Sequence, residues 1–194
     1  MAFTMTARRW VVAAAAAAAV ALPSVRVAAR QNLEYQVKAA FLYNFLTFIE
    51  WPSSAFARPA DPFRVCVIGF DPFGAELDAI NGERVGDRRV LVERLKDEEQ
   101  SATCRLLFVS KSDEVRLPTI RKASAGRGVL IVTETERSLD ACAGIALVLV
   151  EERVRFVVNM AALRSERLVP SSKLLRVARE RVDLPARCQV PVSR

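Results

Sequence analysis

The chain has 194 residues and a formal net charge of +7, and 52% of its residues are hydrophobic. This apolar fraction supplies a folded core and excludes a globally disordered chain, and the length suits one domain. The basic residues are scattered among acids without a run of five, so we expect no nucleic-acid partner.

The N-terminal stretch has the pattern of a secretory signal peptide. Arg8-Arg9 precedes an alanine-rich apolar run over residues 11–22, and Val27-Ala28-Ala29 provides small residues for cleavage. The apolar run is too short to span a bilayer. We expect a signal peptide over residues 1–29 and an exported single domain over residues 30–194, without membrane insertion after cleavage. The paired arginines leave twin-arginine export open beside the general route. Cleavage would remove three arginines and no acid, which lowers the net charge from +7 to +4.

A long helix is predicted for residues 34–51, ending before Pro52 because the residue before a proline avoids helical geometry. Apolar residues at helical spacing cover most of its circumference, which predicts burial on more than one side. We interpret it as a core helix; the alternative is that its aromatic end, residues 48–51, stays exposed for a partner. The stretch holds the largest aromatic cluster of the chain: Tyr35, Phe41, Tyr43, Phe45, Phe48 and Trp51.

The middle of the chain alternates short apolar strands with helices. Such an order predicts an α/β fold with a mainly parallel sheet that is flanked by helices on both faces. Asp71 is the predicted N-cap of the first of these helices, and this role explains it better than a catalytic one. The predicted strands are residues 63–69, 88–95, 106–109 and 129–132, and the predicted helices are residues 73–80 and 114–125.

The last third predicts a C-terminal antiparallel hairpin. Residues 145–150 and 154–158 read as strands, and only three residues separate them, so they must pair antiparallel. Asn159 is the predicted cap of a short helix. A final helix is predicted from Lys173 to about Arg181, with Ser171 or Ser172 as its cap.

Four cysteines lie in the exported part, and an even count in an oxidising compartment predicts disulfides. Cys66 lies in the strand 63–69 and Cys104 just before the strand 106–109. Parallel neighbours would bring these two within bonding distance, so we expect Cys66–Cys104. This pairing leaves Cys142–Cys188, which would anchor the tail. The alternative is that Cys66 is a buried free thiol.

Catalytic groups are scarce. The chain contains no histidine, which excludes Ser-His-Asp and Cys-His catalysis and the commonest zinc sites. No P-loop or dinucleotide-binding glycine pattern occurs. Ser171-Ser172-Lys173 has the residue types of a Ser/Lys nucleophile pair, but neighbours on a helix do not face each other. We therefore predict no catalytic residue, metal or cofactor, and no enzyme activity; an enzyme with a Cys or Ser nucleophile is the weakest hypothesis.

Several segments resemble one protein family. The stretch 35–45, with Phe48, Trp51 and Pro52, resembles the opening helix of the YfiR/HmsC family of periplasmic proteins. The resemblance extends from about residue 34 to residue 178 in the right order. The other similar segments are residues 63–74, 128–132, 153–159 and 171–176.

The resemblance implies a periplasmic regulator. Family members bind the periplasmic sensor domain of an inner-membrane diguanylate cyclase and repress it, and their release raises cyclic di-GMP and promotes biofilm formation. The resemblance also implies homodimers, sequestration by an outer-membrane lipoprotein, and a mainly parallel sheet with flanking helices.

A periplasmic small-ligand sensor is the alternative function. A cleft at the carboxyl ends of the parallel strands would then bind an amino acid or a similar molecule. Tyr43, Arg155 and Arg176 are the candidate ligand groups, although surface or core positions explain each of them as well. Phe48 and Trp51 are the candidate partner contacts.

Overall fold

The computed structural model describes residues 22–184 and Cys188. The predicted signal peptide, residues 1–29, lies largely outside this range, and so does most of the predicted tail. Among the described residues no helix combines the length and apolar character needed to cross a membrane.

An eight-stranded sheet forms the centre of the fold. The described residues form ten strands, eight in this sheet and two in a separate ribbon. They are β1 (Ile49–Glu50), β2 (Phe63–Ile68), β3 (Arg84–Val85), β4 (Arg88–Leu95), β5 (Leu106–Val109), β6 (Leu130–Thr133), β7 (Ile145–Val150), β8 (Arg153–Asn159), β9 (Val169–Pro170) and β10 (Glu180–Val182). Their order in the large sheet is β10-β8-β7-β6-β5-β2-β4-β3, and β1 pairs with β9 in a separate two-stranded ribbon.

Most neighbours in the large sheet are parallel, and the β7–β8 hairpin is antiparallel. The predicted mainly parallel sheet with a C-terminal hairpin is therefore confirmed. The central strands are buried on both faces, as their continuous apolar sequences predict. In β2, for example, Val65 and Val67 enter one hydrophobic cluster, whereas Cys66 and Ile68 enter the other.

Helices cover both faces, which confirms the predicted layers. Leu42 and Phe45 of the long first helix, Leu77 and Leu174 lie in one cluster. Ile120 lies in the cluster of the opposite face. The helices are α1 (Leu22–Phe48), α2 (Ala75–Asp78), α3 (Leu117–Ser124), α4 (Met160–Ser165) and α5 (Ser172–Val177).

The first helix is buried along one stripe only, so the prediction of burial on more than one side was wrong. Leu42, Phe45 and Leu46 are buried, whereas Asn44 and Thr47 on the outer side are exposed. The helix forms the outer layer of the domain. Its apolar residues that lie outside the buried stripe are only partly covered. It ends at Phe48 rather than at Trp51 because β1 leaves the helix to pair with β9.

Asp71 does not cap a helix, contrary to the prediction. Its carboxylate accepts hydrogen bonds from the amides of Phe73 and Gly74, which closes a turn before the helix begins. Helix α2 then starts at Ala75 and has Gly74 as its N-cap residue. Arg94 forms an ion pair with Asp71 at 2.9 Å. The Asp71 carboxylate thus accepts from backbone amides, as the side chain of a helix cap does, but these amides belong to a turn that precedes the helix.

The last helix is shorter than predicted. Ser171 caps it, as one of the two predicted serines, by accepting from the Leu174 amide. Ala178 then adopts an extended conformation, and β10 adds a parallel strand to β8 where the prediction continued the helix. Strand pairing covers the edge of β8 and supplies partners for its backbone groups, which outweighs local helix propensity.

Candidate functional site

A cleft of about 600 Å³ lies at the carboxyl edge of the parallel sheet. The chain leaves β2 towards β4 on one side and returns to β5 on the other side of β2. The carboxyl ends of β2 and β5 therefore form a topological switch point, where connections diverge and open a crevice. Phe70, which follows β2, and Ser110 and Ser112, which follow β5, line the cleft.

Gly69 allows the two loops to meet at the floor of this crevice. Its φ is +90°, and a Cβ atom there would collide with side-chain oxygens of Ser110, Ser112 and Asp113. Ser112 Oγ accepts from the Phe70 amide at 3.1 Å and donates to Asp113 Oδ2 at 2.7 Å. The loop after β2 and the loop after β5 are thus joined by hydrogen bonds that only glycine leaves room for.

Lys38 and Glu34 of helix α1 form a buried charge cluster with Glu134 on the opposite wall of the cleft. Lys38 Nζ lies 2.5 Å from Glu34 Oε1 and 2.6 Å from Glu134 Oε1, and the Lys38 side chain is only 4% exposed. Glu34 is one helical turn before Lys38, and Glu134 directly follows β6. Two carboxylates around one ammonium leave a surplus negative charge beside the cleft.

Tyr35 completes this cluster. Its hydroxyl donates a hydrogen bond of 3.0 Å to Glu134, and the Lys38 ammonium lies 4.5 Å from the centre of its ring. Its ring also meets Phe73 edge-to-face at 5.4 Å. Burial, followed by the charge of Glu134, raises the pKa of Tyr35 well above its ordinary value. The hydroxyl therefore remains a hydrogen-bond donor over the physiological range of pH.

Lys38 and Glu134 were not among the residues predicted from the sequence. The sequence contained a signal that Lys38 is buried, because Lys38 falls on the same helical stripe as Leu42 and Phe45, one turn after Tyr35. A lysine on a buried stripe requires a buried carboxylate. Glu34 at the preceding turn was visible in the sequence, but Glu134 is 96 residues away and only the fold brings it close.

The three predicted ligand residues do not line the cleft, and the structure does not bring them together. The Tyr43 hydroxyl donates to the Arg84 carbonyl at 2.9 Å. Arg155 is exposed and pairs across the hairpin with Val148, on the face of the sheet opposite α1. Arg176 is exposed on α5. Their roles in ligand binding stay predictions.

The aromatic stretch of residues 48–51, at and after the end of α1, lies partly in the core and partly at the surface. Trp51 packs edge-to-face on Phe63 at 5.3 Å, and its indole N–H donates to the Arg105 carbonyl at 3.3 Å. Phe48 is half-buried, and the Lys173 ammonium lies 4.8 Å from its ring centre.

Around Phe48 lies a surface with exposed apolar side chains. Val169 in β9 is 57% exposed and Val177 in α5 is 63% exposed. Lys173, Arg176 and Val177 share one face of α5, since residues three and four apart are neighbours on a helix. We name Phe48, Val169, Lys173, Arg176 and Val177 the ribbon surface, after the β1–β9 ribbon beside it.

Both expected disulfides are present. Cys66–Cys104 joins β2 to the start of β5, with 6.0 Å between the Cα atoms. Cys142–Cys188 has a Cα separation of 5.3 Å, and the Cys188 carbonyl accepts from Arg121. Both bridges are buried. Within the described residues no cluster of three acidic or cysteine side chains has the arrangement of a metal site.

Comparison with known proteins places the chain in a family. A sequence profile described as YfiR/HmsC-like matches residues 35–179. No curated protein matches the chain.

Two solved structures show low similarity to this chain. A conserved domain protein from Vibrio cholerae O1 biovar eltor superposes with a TM-score of 0.48 at 6% identity, covering 62% of this chain and 55% of that chain. The ABC domain from Streptococcus pneumoniae in complex with L-Trp gives a TM-score of 0.44 at 7% identity, covering 61% and 55%. This chain therefore spans about half the length of each.

The family match extends from the middle of α1 to the second residue after α5 and includes the whole central sheet except its edge strand β10. The chain therefore belongs to the YfiR/HmsC-like family.

Proposed function

We propose that this protein is a periplasmic regulator that binds the sensor domain of an inner-membrane diguanylate cyclase and holds the enzyme inactive. The observation that carries the proposal is the family match over residues 35–179. Loss of the complex would then raise cyclic di-GMP and promote biofilm formation. Homodimers, and sequestration by an outer-membrane lipoprotein, belong to the same proposal.

Two structural features support a binding role after export. The domain is closed by two disulfides, which form and persist in an oxidising compartment. The ribbon surface combines exposed valines with the cations of Lys173 and Arg176 and a half-buried aromatic ring. Aromatic residues and arginine are enriched at protein interfaces, whereas isolated exposed valines are common on any surface. The ribbon surface is therefore our proposed contact for the cyclase.

The experiment is direct binding between purified partners. The mature protein, residues 30–194 with oxidised cysteines, is titrated by calorimetry against the periplasmic domain of a diguanylate cyclase from the same organism. We expect a dissociation constant of about 1 µM or tighter, in the range of specific regulatory complexes. A matched measurement follows cyclic di-GMP synthesis by the full-length cyclase in membranes, which the mature protein should lower.

The same titration can also contradict the proposed function. Absence of binding at about 100 µM to every such cyclase domain of the organism would contradict the proposal, because occupancy would then be negligible at realistic concentrations. A control protein of similar charge, with reduced and alkylated cysteines, separates specific binding from electrostatic adhesion. Light scattering of the mature protein alone tests the dimer.

A further inference from the structure

We infer that the cleft at the carboxyl edge of the sheet is a binding site for a small organic amine with an aromatic or apolar body. The inference does not depend on the regulatory function proposed above. It rests on the place of the cleft, its size, the charge of its walls and its aromatic surfaces.

The cleft has the place and the size of a ligand site. It lies at the switch point between β2 and β5, where open α/β sheets bind their ligands. Its volume of about 600 Å³ lies within the range of small-molecule pockets. The loops at its floor are held by the hydrogen bonds between Phe70, Ser112 and Asp113, so this part of the site is formed before a ligand enters.

The net negative charge of the cleft walls favours a cationic ligand over an anionic one. Three carboxylates line the cleft, Glu34, Glu76 and Glu134, against the ammonium groups of Lys38 and Lys111. Lys38 is buried and is already bonded to two of the carboxylates, whereas Lys111 is exposed at the rim. An anionic ligand would find no free buried cation among these lining residues. An ammonium group would meet the surplus negative charge and the hydroxyls of Ser110 and Thr135.

The aromatic groups at the cleft accommodate the body of the ligand. Phe70 is 75% exposed and lines the cleft, although a phenylalanine ring normally finds cover. Tyr35 and Leu149 also contribute to the walls, and Leu149 is 52% exposed. A ring or short alkyl chain placed between these groups would remove their apolar surface from water, which adds to the attraction of the ammonium group.

The test compares three probes that differ in one functional group. Phenethylamine, phenethyl alcohol and phenylacetate are titrated separately against the oxidised mature protein, with binding followed by two-dimensional NMR. We expect saturable shifts with phenethylamine at residues of the cleft, and an affinity about tenfold weaker or worse for the alcohol and the acid, because charge-assisted hydrogen bonds to carboxylates are lost.

Variants of the half-buried Glu76 and the exposed Phe70 localise the site, because neither side chain belongs to the buried core. Glu76→Gln and Phe70→Ala should each weaken phenethylamine binding about fivefold to tenfold, since they remove a charge and an apolar contact. Glu83→Gln and Val177→Ala are matched controls outside the cleft and should leave binding unchanged. The inference is overturned if none of the probes binds at about 20 mM, if the alcohol or the acid binds as well as the amine, or if the controls weaken binding as much as the cleft variants.

Discussion

Lys38 Nζ lies 2.6 Å from Glu134 Oε1, and this buried ion pair joins helix α1 to the carboxyl end of β6. Glu34 completes the cluster from the preceding helical turn. The pair connects the segment with the clearest family similarity to the rim of the cleft. Both the stability of the domain and the charge of the cleft therefore depend on it.

Substitution of Lys38 should be strongly destabilising. Lys38→Met keeps the volume of the side chain but leaves Glu34 and Glu134 without their cation, which costs about 3–5 kcal/mol of unfolding free energy. Urea denaturation followed by circular dichroism measures this change. Arg30→Met is the matched control, because the Arg30–Glu152 pair is exposed on both sides and its loss should cost about 0–1 kcal/mol. Equal losses in both variants would contradict the role of the buried cluster.

Tyr35 should make stability fall at high pH. Its pKa is raised in the folded protein, mainly by burial, so the unfolded chain ionises first, near pH 10. Below that value both states hold the proton and the stabilisation is complete. Above it the unfolded state loses the proton while the folded state keeps it, so the unfolding free energy decreases.

The measurement compares the wild type with Tyr35→Phe by urea denaturation at several values between about pH 8 and pH 11. At pH 8 the variant should be less stable by about 1 kcal/mol, the usual contribution of one hydrogen bond. The difference between the two proteins should shrink as the pH rises through 10, because only the wild type carries the Tyr35 titration. A constant difference over the whole range would disprove the prediction.

The cap of α4 should be more important than the cap of α5. Asn159 is buried, accepts from the amides of Ala161 and Ala162, and donates to the Leu139 carbonyl. Asn159→Ala removes the cap and leaves buried groups without partners, at a cost of about 2–4 kcal/mol. Ser171→Ala removes a single bond to the Leu174 amide and should cost about 1 kcal/mol. Thermal unfolding of both variants provides the comparison, and the reverse order would contradict it.

Each disulfide should contribute to stability. The bridged cysteines are 38 residues apart in Cys66–Cys104 and 46 apart in Cys142–Cys188. Loops of this length give about 4 kcal/mol in the chain-entropy model. The double variants Cys66→Ala/Cys104→Ala and Cys142→Ala/Cys188→Ala should each lower the unfolding free energy by about 2–5 kcal/mol. If the proposed function holds, loss of Cys66–Cys104 should also relieve repression. A variant that melts like the wild type would show that its bridge adds no stability.

A charge on the ribbon surface should weaken the proposed complex with the cyclase. Val177→Asp places a carboxylate on an exposed position, so the fold should persist while binding falls about tenfold or more through desolvation of the new charge. Val115→Asp is the control, because Val115 is 85% exposed and lies on another part of the surface. Calorimetric titration with the cyclase domain measures both. Equal affinities would exclude this surface as the contact.

Much of the fold was predictable because it depends on local patterns. The strands over residues 106–109 and 145–150 are continuous apolar runs, and the short link between β7 and β8 permits only an antiparallel hairpin. The helix caps at Asn159 and Ser171 follow from the same local chemistry. The cysteine pairing followed once the order of the strands placed Cys66 beside Cys104.

Two of the errors occur where a distant segment outweighs local preference. Residues 180–182 continue a helical pattern in sequence but pair with β8, because an open sheet edge gains hydrogen bonds from them. Ile49 and Glu50 leave the helix for the same reason, since they pair with β9.

The sequence by itself determined the family, the layered α/β architecture and the long aromatic helix at its start, because periodicity, capping and cysteine count are readable along the chain. Only the tertiary structure decided what surrounds the buried Lys38. Its second carboxylate, Glu134, arrives from the end of a distant strand, and Phe70 is left uncovered where the connections of β2 and β5 diverge. The charge cluster and the exposed aromatic ring line the same cleft because the topology of the sheet opens a cleft at that point. No local sequence pattern predicts that these residues lie close together.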